Sequence, residues 1–349
     1  MAPTHEPELD RYSRQTLFEP IGVAGQRRLA DARVTLIGCG ALGTVAAQTL
    51  VRAGVGFLRI CDRDYIEPDN LQRQVLFDEK DIADNLPKAQ AAARKLATIN
   101  STVTVEPVVR DVNHRNIAAI IEQADLILDG TDNFETRYLI NDIAISADVP
   151  WIYAAVIGGT GLVMPVLAGQ TPCLRCVFES APPAELSPTC DTAGVIGPAV
   201  NVVASLQSAE AIKILIGDQN ALCRGLLSID VWSQRFVRLN VGERRADCPC
   251  CGHRRFDYLS GRLAGQTTAL CGRDAVQVLP AARTEAIDLD AVAQKLSAVA
   301  DGKVDRSPFM IKARVGDYTL SVFPDGRAII KGTQLPEEAR SVYARFVGA

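Results

Sequence analysis

Histidine is scarce in this chain: only His5, His114 and His253 occur among 349 residues. So few imidazoles argue against a Ser/His or Cys/His hydrolase, which needs a positioned base. Long apolar runs are missing too. No stretch approaches ~18 uninterrupted apolar residues, so no membrane span is expected. The N-terminus, MAPTHEPELDRYSRQ, lacks the basic start and apolar middle of a signal peptide, which makes the cytoplasm the expected compartment. Charge of one sign is also absent as a block, and the formal net charge is -4. A non-specific grip on nucleic acid needs a basic patch, so that function class is set aside. Finally, there is no G-x-x-x-x-G-K-[ST], which excludes a P-loop enzyme.

What is present reads as an ordinary globular protein. The chain is 48% hydrophobic and 22% charged, and its length fits about two domains. RVTLI (33–37) has the pattern of a buried strand, followed by GCGALG and then the helical period of ALGTVAAQTLVRAG. FLRIC (57–61), VTVEPVV (103–109), DLILD (125–129) and WIYAAV (151–156) predict further strands, with KAQAAARKLATI as an intervening helix. Strands alternating with helices imply an α/β fold, a Rossmann-like parallel sheet covered on both faces. GLVMPVLA (161–168), GLLSIDV (225–231) and RFVRLNV (235–241) lack crossover helices and predict an antiparallel extension. PAVNVVASLQSAEAIKILIG has proline at its start and glycine at its end, the punctuation of a helix. A proline-rich stretch, ESAPPAELSPT, marks an exposed, mobile loop over about 177–196. The boundaries expected are a large domain over 1–252 and a small α+β domain over 256–349. The second contains two helices, LDAVAQKLSAVA and PEEARSVYARFV, and a YTLSVF-PDG-RAIIKG hairpin.

Gly38, Gly40 and Gly43 form G-x-G-x-x-G between a strand and a helix. Glycines there allow a tight turn and let backbone approach a phosphate at the helix N-terminus. Asp62 ends the second strand, where an acid reaches ribose hydroxyls in this fold. To this point NAD fits as well as ATP. Asn70, Arg73 and Gln74 follow in NLQRQ, then Lys88, and they tilt the choice. A triphosphate needs more cations than a pyrophosphate bridge, and arginine matches phosphate with a fork of donors. TDN (131–133) follows DLILD and would place Asp132 at the ligand-binding edge of the sheet, where a carboxylate can help hold Mg²⁺.

Two C-x-x-C pairs, Cys173/Cys176 and Cys248/Cys251, predict a closed, structural Cys₄ zinc site that staples distant segments. Cys250 could stand in for Cys251 only with altered geometry. Cys190, in SPTCDTAG, lies between the proline-rich loop and a helix, where a thiol with a lowered pKa would be reactive. Cys39 and Cys61 are expected as core residues, as are Trp151 and Trp232.

RYSRQ, GCGALG, AGVG, DRDYIEPDNLQRQ, LPK, TDN, CLRC, CDTAG and CPCC occur in an order that resembles the ThiF/MoeB/HesA family, bacterial relatives of ubiquitin-activating enzymes. The resemblance covers about residues 9–252. The tail resembles the C-terminal extension of the longer ThiF-type proteins, most closely in LCGRDAVQV and FPDGRAIIKGT. The resemblance implies adenylation of the C-terminal Gly-Gly carboxylate of a ubiquitin-like sulfur carrier, with ATP and Mg²⁺. It implies Asp62 on the ribose, Asn70, Arg73 and Lys88 on the phosphates, and Asp132 on the metal. Ala41, Asp64, Gln74 and Asn133 belong to the matching nucleotide motifs. Arg14 would reach into the partner's active site in a homodimer. Cys190 matches a cysteine that forms a persulfide link with the carrier. A cysteine desulfurase is the expected sulfur donor. Thiamine thiazole synthesis is the first pathway implied and molybdopterin synthesis the second. An NAD-dependent dehydrogenase and a non-catalytic binder of a ubiquitin-like protein are the competing readings.

Overall fold

The computed structural model describes residues 7–180, 193–263, 267–269, 275–278 and 287–347. Contacts divide the chain into two compact units, 1–183 with 193–264, and 184–192 with 265–349.

In the first unit two short helices precede the sheet, α1 (Ser13–Thr16) and α2 (Gly22–Asp31). Then come β1 (Arg33–Ile37), α3 (Ala41–Ala53), β2 (Phe57–Cys61), α4 (Glu79–Ala83), α5 (Lys88–Ile99) and β3 (Thr104–Val108). They are followed by α6 (Ile117–Ile120), β4 (Leu126–Asp129), α7 (Phe134–Ala147), β5 (Trp151–Ile157) and β6 (Thr160–Val166). The unit continues with α8 (Leu174–Val177), α9 (Gly197–Ile216), β7 (Leu226–Asp230) and β8 (Arg235–Leu239).

The eight strands form one sheet in the order β3-β2-β1-β4-β5-β6-β7-β8. The β3-to-β5 half is parallel, and β5 through β8 pair antiparallel, as the missing crossover helices predict. Two apolar layers cover the sheet. One is built with α2, α3, α5 and α9, the other with α6, α7, α8 and the cysteine turns. Both faces being covered explains why β1 and β4 are almost continuously apolar and buried.

By length and composition α9 is apolar enough to cross a membrane, but half of its most apolar window is buried in the protein. It packs against α3, β5 and β6, which makes it a core helix of the first layer. Trp151 is fully buried, whereas Trp232, expected in the core, is 83% exposed. Trp232 sits in the turn that joins β7 to β8, and β8 is an edge strand exposed along its length. A turn at the sheet margin has no second layer to receive an indole.

The second unit has a six-stranded sheet in the order β11-β12-β13-β14-β10-β9. Its strands are β9 (Thr267–Ala269), β10 (Ala275–Val278), β11 (Asp305–Ser307), β12 (Met310–Val315), β13 (Tyr318–Val322) and β14 (Ala328–Lys331). Two helices, α10 (Leu289–Ser297) and α11 (Pro336–Phe346), bury Val292, Leu296, Val342 and Tyr343 into its core. β13 and β14 are the hairpin predicted around PDG.

Candidate active site and tetracysteine centre

The strand order reverses between β1 and β4, and ligands of open α/β sheets bind at such a switch point. Two loops meet there. After β1, Gly38 adopts a left-handed φ of +89°, and a Cβ on it would sit 2.6 Å from the carbonyl of Gly130. A Cβ on Gly43 would strike the Gly38 carbonyl oxygen at 2.1 Å. Gly38 is therefore required by the crossing of the loops, and Gly43 by the tightness of its own turn. Gly40 is different: a Cβ there would meet only Gln74 Nε2, at 3.8 Å. Ala41 begins α3, whose N-terminus carries no side-chain cap. Its first N–H groups have no side-chain acceptor, a setting suited to phosphate.

Asp62 closes β2 and is nearly buried. Its carboxylate accepts the backbone N–H of Cys39 and that of Asp64, each at 2.6 Å. Asp62 thus braces the glycine turn from beneath. Burial raises its pKa above the ordinary range; Lys88 acts in the opposite direction.

Lys88 is the first residue of α5 and only 3% exposed. Its Nζ lies 3.6 Å from Asp64 Oδ2, and its N–H donates to the Asp64 carbonyl at 2.9 Å. Arg63 pairs with Asp111 at 2.6 Å. Burial lowers the Arg63 pKa, but Asp111, then Asp64 and Asp132, raise it further, and the net direction is up. Neither Arg63 nor Asp111 was singled out by sequence.

Asn70 is buried and its Oδ1 accepts the Glu67 N–H at 3.2 Å, which fixes the turn carrying NLQRQ. Arg73 is half-buried, with Nη1 donating to the Asp69 carbonyl at 2.6 Å. Gln74 is buried, and its Oε1 has no hydrogen-bond partner among the described residues. An unpaired buried acceptor suits a donor such as a hydroxyl, while Gln74 Nε2 is the atom turned toward Gly40 and is the one suited to a phosphate oxygen.

Past β4, Asp132 is exposed and Asn133 caps α7 by accepting the Thr136 N–H at 2.8 Å. Below them lies a pair that sequence reasoning missed. Arg137 Nε meets Asp129 Oδ2 at 3.1 Å, both buried, and Arg137 Nη2 donates to the Thr131 carbonyl at 2.7 Å. The available signal was an aspartate ending an apolar strand and an arginine one turn into the next helix.

Arg14 is exposed on α1. Cys190, with residues 181–192, lies outside the described residues. Cys39 and Cys61 are buried core thiols, both pushed well up by burial, so neither is reactive.

The four sulfurs of Cys173, Cys176, Cys248 and Cys251 lie within 4.8 Å of one another. Separations of 3.9, 3.6 and 3.4 Å are found for 173–176, 173–248 and 176–251. A tetrahedral ion with Zn–S bonds of about 2.3 Å spaces sulfurs by about 3.8 Å, so the cluster fits a metal such as zinc. Cys250 is outside that set of four. Its sulfur instead accepts Asn141 Nδ2 at 3.2 Å.

A glycine turn at the switch point of a Rossmann-like sheet, with a tetracysteine cluster on one face, marks the class of ubiquitin-activating-like folds. Residues 12–250 match the model of the ThiF family, and the chain belongs to that family. It is 44% identical over 340 residues to the sulfur carrier protein ThiS adenylyltransferase of Bacillus subtilis, spanning 97% of this chain and 99% of that one. It is 40% identical over 270 residues to the sulfur carrier protein adenylyltransferase of Thermus thermophilus, spanning 76% and 97%. The crystal structure of E. coli MccB with ATP superposes with a TM-score of 0.60 at 25% identity, covering 70% of this chain and 74% of that one.

Proposed function

We propose that this chain adenylates the C-terminal Gly-Gly carboxylate of a ubiquitin-like sulfur carrier with ATP. The observation that carries the reading is the open Gly40 turn at the uncapped N-terminus of α3, where a Cβ would meet only Gln74 Nε2, a donor, at 3.8 Å, with Lys88 and Asp62 at the same sheet edge. Its relatives in Bacillus subtilis and Thermus thermophilus are named as adenylyltransferases of a sulfur carrier protein, which supports the coarser part of this reading. The chain is an adenylyltransferase acting on a sulfur carrier protein.

The chemistry follows from charge. A carrier carboxylate oxygen attacks the α-phosphorus of ATP, a C–O–P anhydride forms, and the bond to pyrophosphate breaks. The nucleophile and the phosphates repel each other, so cations must screen them. Lys88 and Arg73 supply that screen from this subunit, and Arg14 from the partner copy in a homodimer. Asp62 holds the ribose, and Asn70 and Gln74 take the remaining phosphate contacts. Ala41, Asp64 and Asn133 shape the rest of the cradle. Bound Mg²⁺ would withdraw charge from departing pyrophosphate, with Asp132 as its protein ligand. Holding the carboxylate beside the α-phosphate contributes ~7 kcal/mol or more by itself. Exposed Leu17 (74%) and Phe18 (61%), next to α1, support burial of that segment against a second copy.

Zinc in the four cysteines is a structural staple. Cys190 is the thiol that takes over the activated carrier for sulfur transfer, with a cysteine desulfurase as the upstream donor. Thiamine thiazole synthesis is the favoured pathway. The Bacillus subtilis match runs through the tail beyond residue 252 rather than stopping at the first unit.

The test offers purified protein several ubiquitin-like carriers with ATP and reads carrier-dependent ATP–pyrophosphate exchange, with acyl-adenylate by mass spectrometry. Exchange with one carrier is the expected result. No exchange with any carrier, or preference for NAD over ATP, overturns the reading.

A further inference from the structure

Helix α7 touches both sites. At its start, Asn133 caps it beside Asp132. One turn on, Arg137 holds Asp129 and the Thr131 carbonyl. One turn further, Asn141 is fully buried among the cysteines. Its Oδ1 accepts the Leu174 N–H at 2.8 Å, inside the first cysteine turn, and its Nδ2 donates to Cys250 Sγ at 3.2 Å, inside the second. A single amide therefore bridges two turns that are distant in sequence. The next residue, Asp142, accepts the N–H groups of Tyr258 and Leu259, just past the second turn. Tyr138 donates to the Phe178 carbonyl at 3.0 Å, just past the first, and stacks on Tyr258 with ring centroids 5.0 Å apart.

Asn133, Arg137 and Asn141 fall four residues apart, so they share one face of the helix over a rise of about 12 Å. The link between the two ends of this route is one unbroken helix, Phe134–Ala147, which can move as a rigid body. Partners just outside a metal's ligands are known to set its retention.

We propose that metal occupancy of the tetracysteine centre is relayed to the nucleotide edge through α7, with Asn141 as the positioning residue that joins both cysteine turns to the helix. The inference rests on the reading that the four cysteines hold zinc. When zinc leaves, the two turns part, Asn141 loses one of its partners, and α7 is free to shift, carrying with it Arg137 and its hold on Asp129 and the Thr131 carbonyl. The nucleotide edge then loosens without any ligand having been touched.

Hydrogen–deuterium exchange on the full chain, zinc-loaded and chelator-stripped, tests this. Stripping is expected to speed exchange at least tenfold in 130–141 as well as in both cysteine turns. β2 and β3 should stay within twofold. A rise confined to the cysteine turns overturns the relay, and so does a uniform rise across all strands. Zinc transfer to a chromophoric chelator tests Asn141 itself. Asn141→Leu should release zinc about tenfold faster or more, and Cys250→Ala, which removes the Nδ2 acceptor together with the thiol's contacts to Asp142 and Cys173, should release it severalfold faster. Combining them should add nothing beyond Asn141→Leu. If Asn141→Leu does not fold, Cys250→Ala carries the test, and release at the wild-type rate overturns the assignment. Neither readout involves ATP or a carrier, so failure here is distinguishable from failure of the adenylation reading. A chain that takes up no zinc refutes both the metal site and the relay.

Discussion

Arg137 Nε stands 3.1 Å from Asp129 Oδ2, both side chains buried, at the end of the strand that leads to the exposed Asp132. A buried pair leaves a costly lone charge when one partner is removed. Arg137→Leu is therefore expected to destabilise the protein by about 3–5 kcal/mol. Urea unfolding checks this. A loss under 1 kcal/mol would mean that Asp129 is compensated by Thr131 alone.

Arg73→Ala and Asp132→Ala should behave in the opposite way. Arg73 is half-buried and Asp132 exposed, so the thermal midpoint should hardly move. Carrier-dependent ATP–pyrophosphate exchange should fall at least about a hundredfold, the usual scale for losing one preorganised charge contact. Near-normal exchange in both variants removes these residues from the chemistry.

Cys190→Ser separates the two halves of the proposed function. The variant should form acyl-adenylate at the wild-type rate yet fail to deliver sulfur to the carrier. Unchanged thiocarboxylate yield would show that Cys190 is an ordinary loop thiol.

Metal content distinguishes the adjacent cysteines. The wild type should hold about one zinc per chain, as a closed four-thiolate site does. Cys251→Ser should lose it, because its sulfur lies 3.4 Å from Cys176. Cys250→Ser should retain it, because Cys250 is held by Asn141 instead. The reverse pattern would exchange the two assignments.

Asp142 gives the protein a signed pH dependence. Burial pushes its carboxyl up to about 6, against the pull of the Tyr258 and Leu259 N–H groups. A carboxyl with a raised folded pKa favours folding when protonated. The penalty for ionising it is absent below the unfolded pKa and complete above about 6. Stability should fall across that window by on the order of 3 kcal/mol. Asp142→Asn keeps the acceptor and removes the titration. The stability difference between the two proteins should grow from pH 4 to pH 6.5, and a constant difference would refute the assignment.

Much of the candidate site's placement could be read in one dimension because local rules dictate it. A glycine turn between strand and helix, an acid closing β2 and TDN after β4 each sit where sheet topology delivers them. The paired C-x-x-C spacing likewise announced its four sulfurs. Other features were silent for a physical reason. Arg63–Asp111, Arg137–Asp129 and Asn141–Cys250 join residues whose partnership depends on which elements become neighbours, and no spacing encodes that. Trp232 misled because an indole is usually buried, and only the position of β8 at the sheet margin leaves it exposed.

The sequence alone determined the alternation of strands and helices, the glycine loop and the four cysteines, since hydrophobic period, backbone freedom and ligand spacing are local properties. Tertiary structure alone decided that Gly38 and Gly130 cross so closely that no side chain fits. It also decided that Gln74 Oε1 has no hydrogen-bond partner among the described residues, that Cys251 rather than Cys250 completes the cluster, and that one face of α7 carries both Arg137 and Asn141. Each of these depends on distances between segments remote in the chain, and those are set by packing two layers onto one sheet.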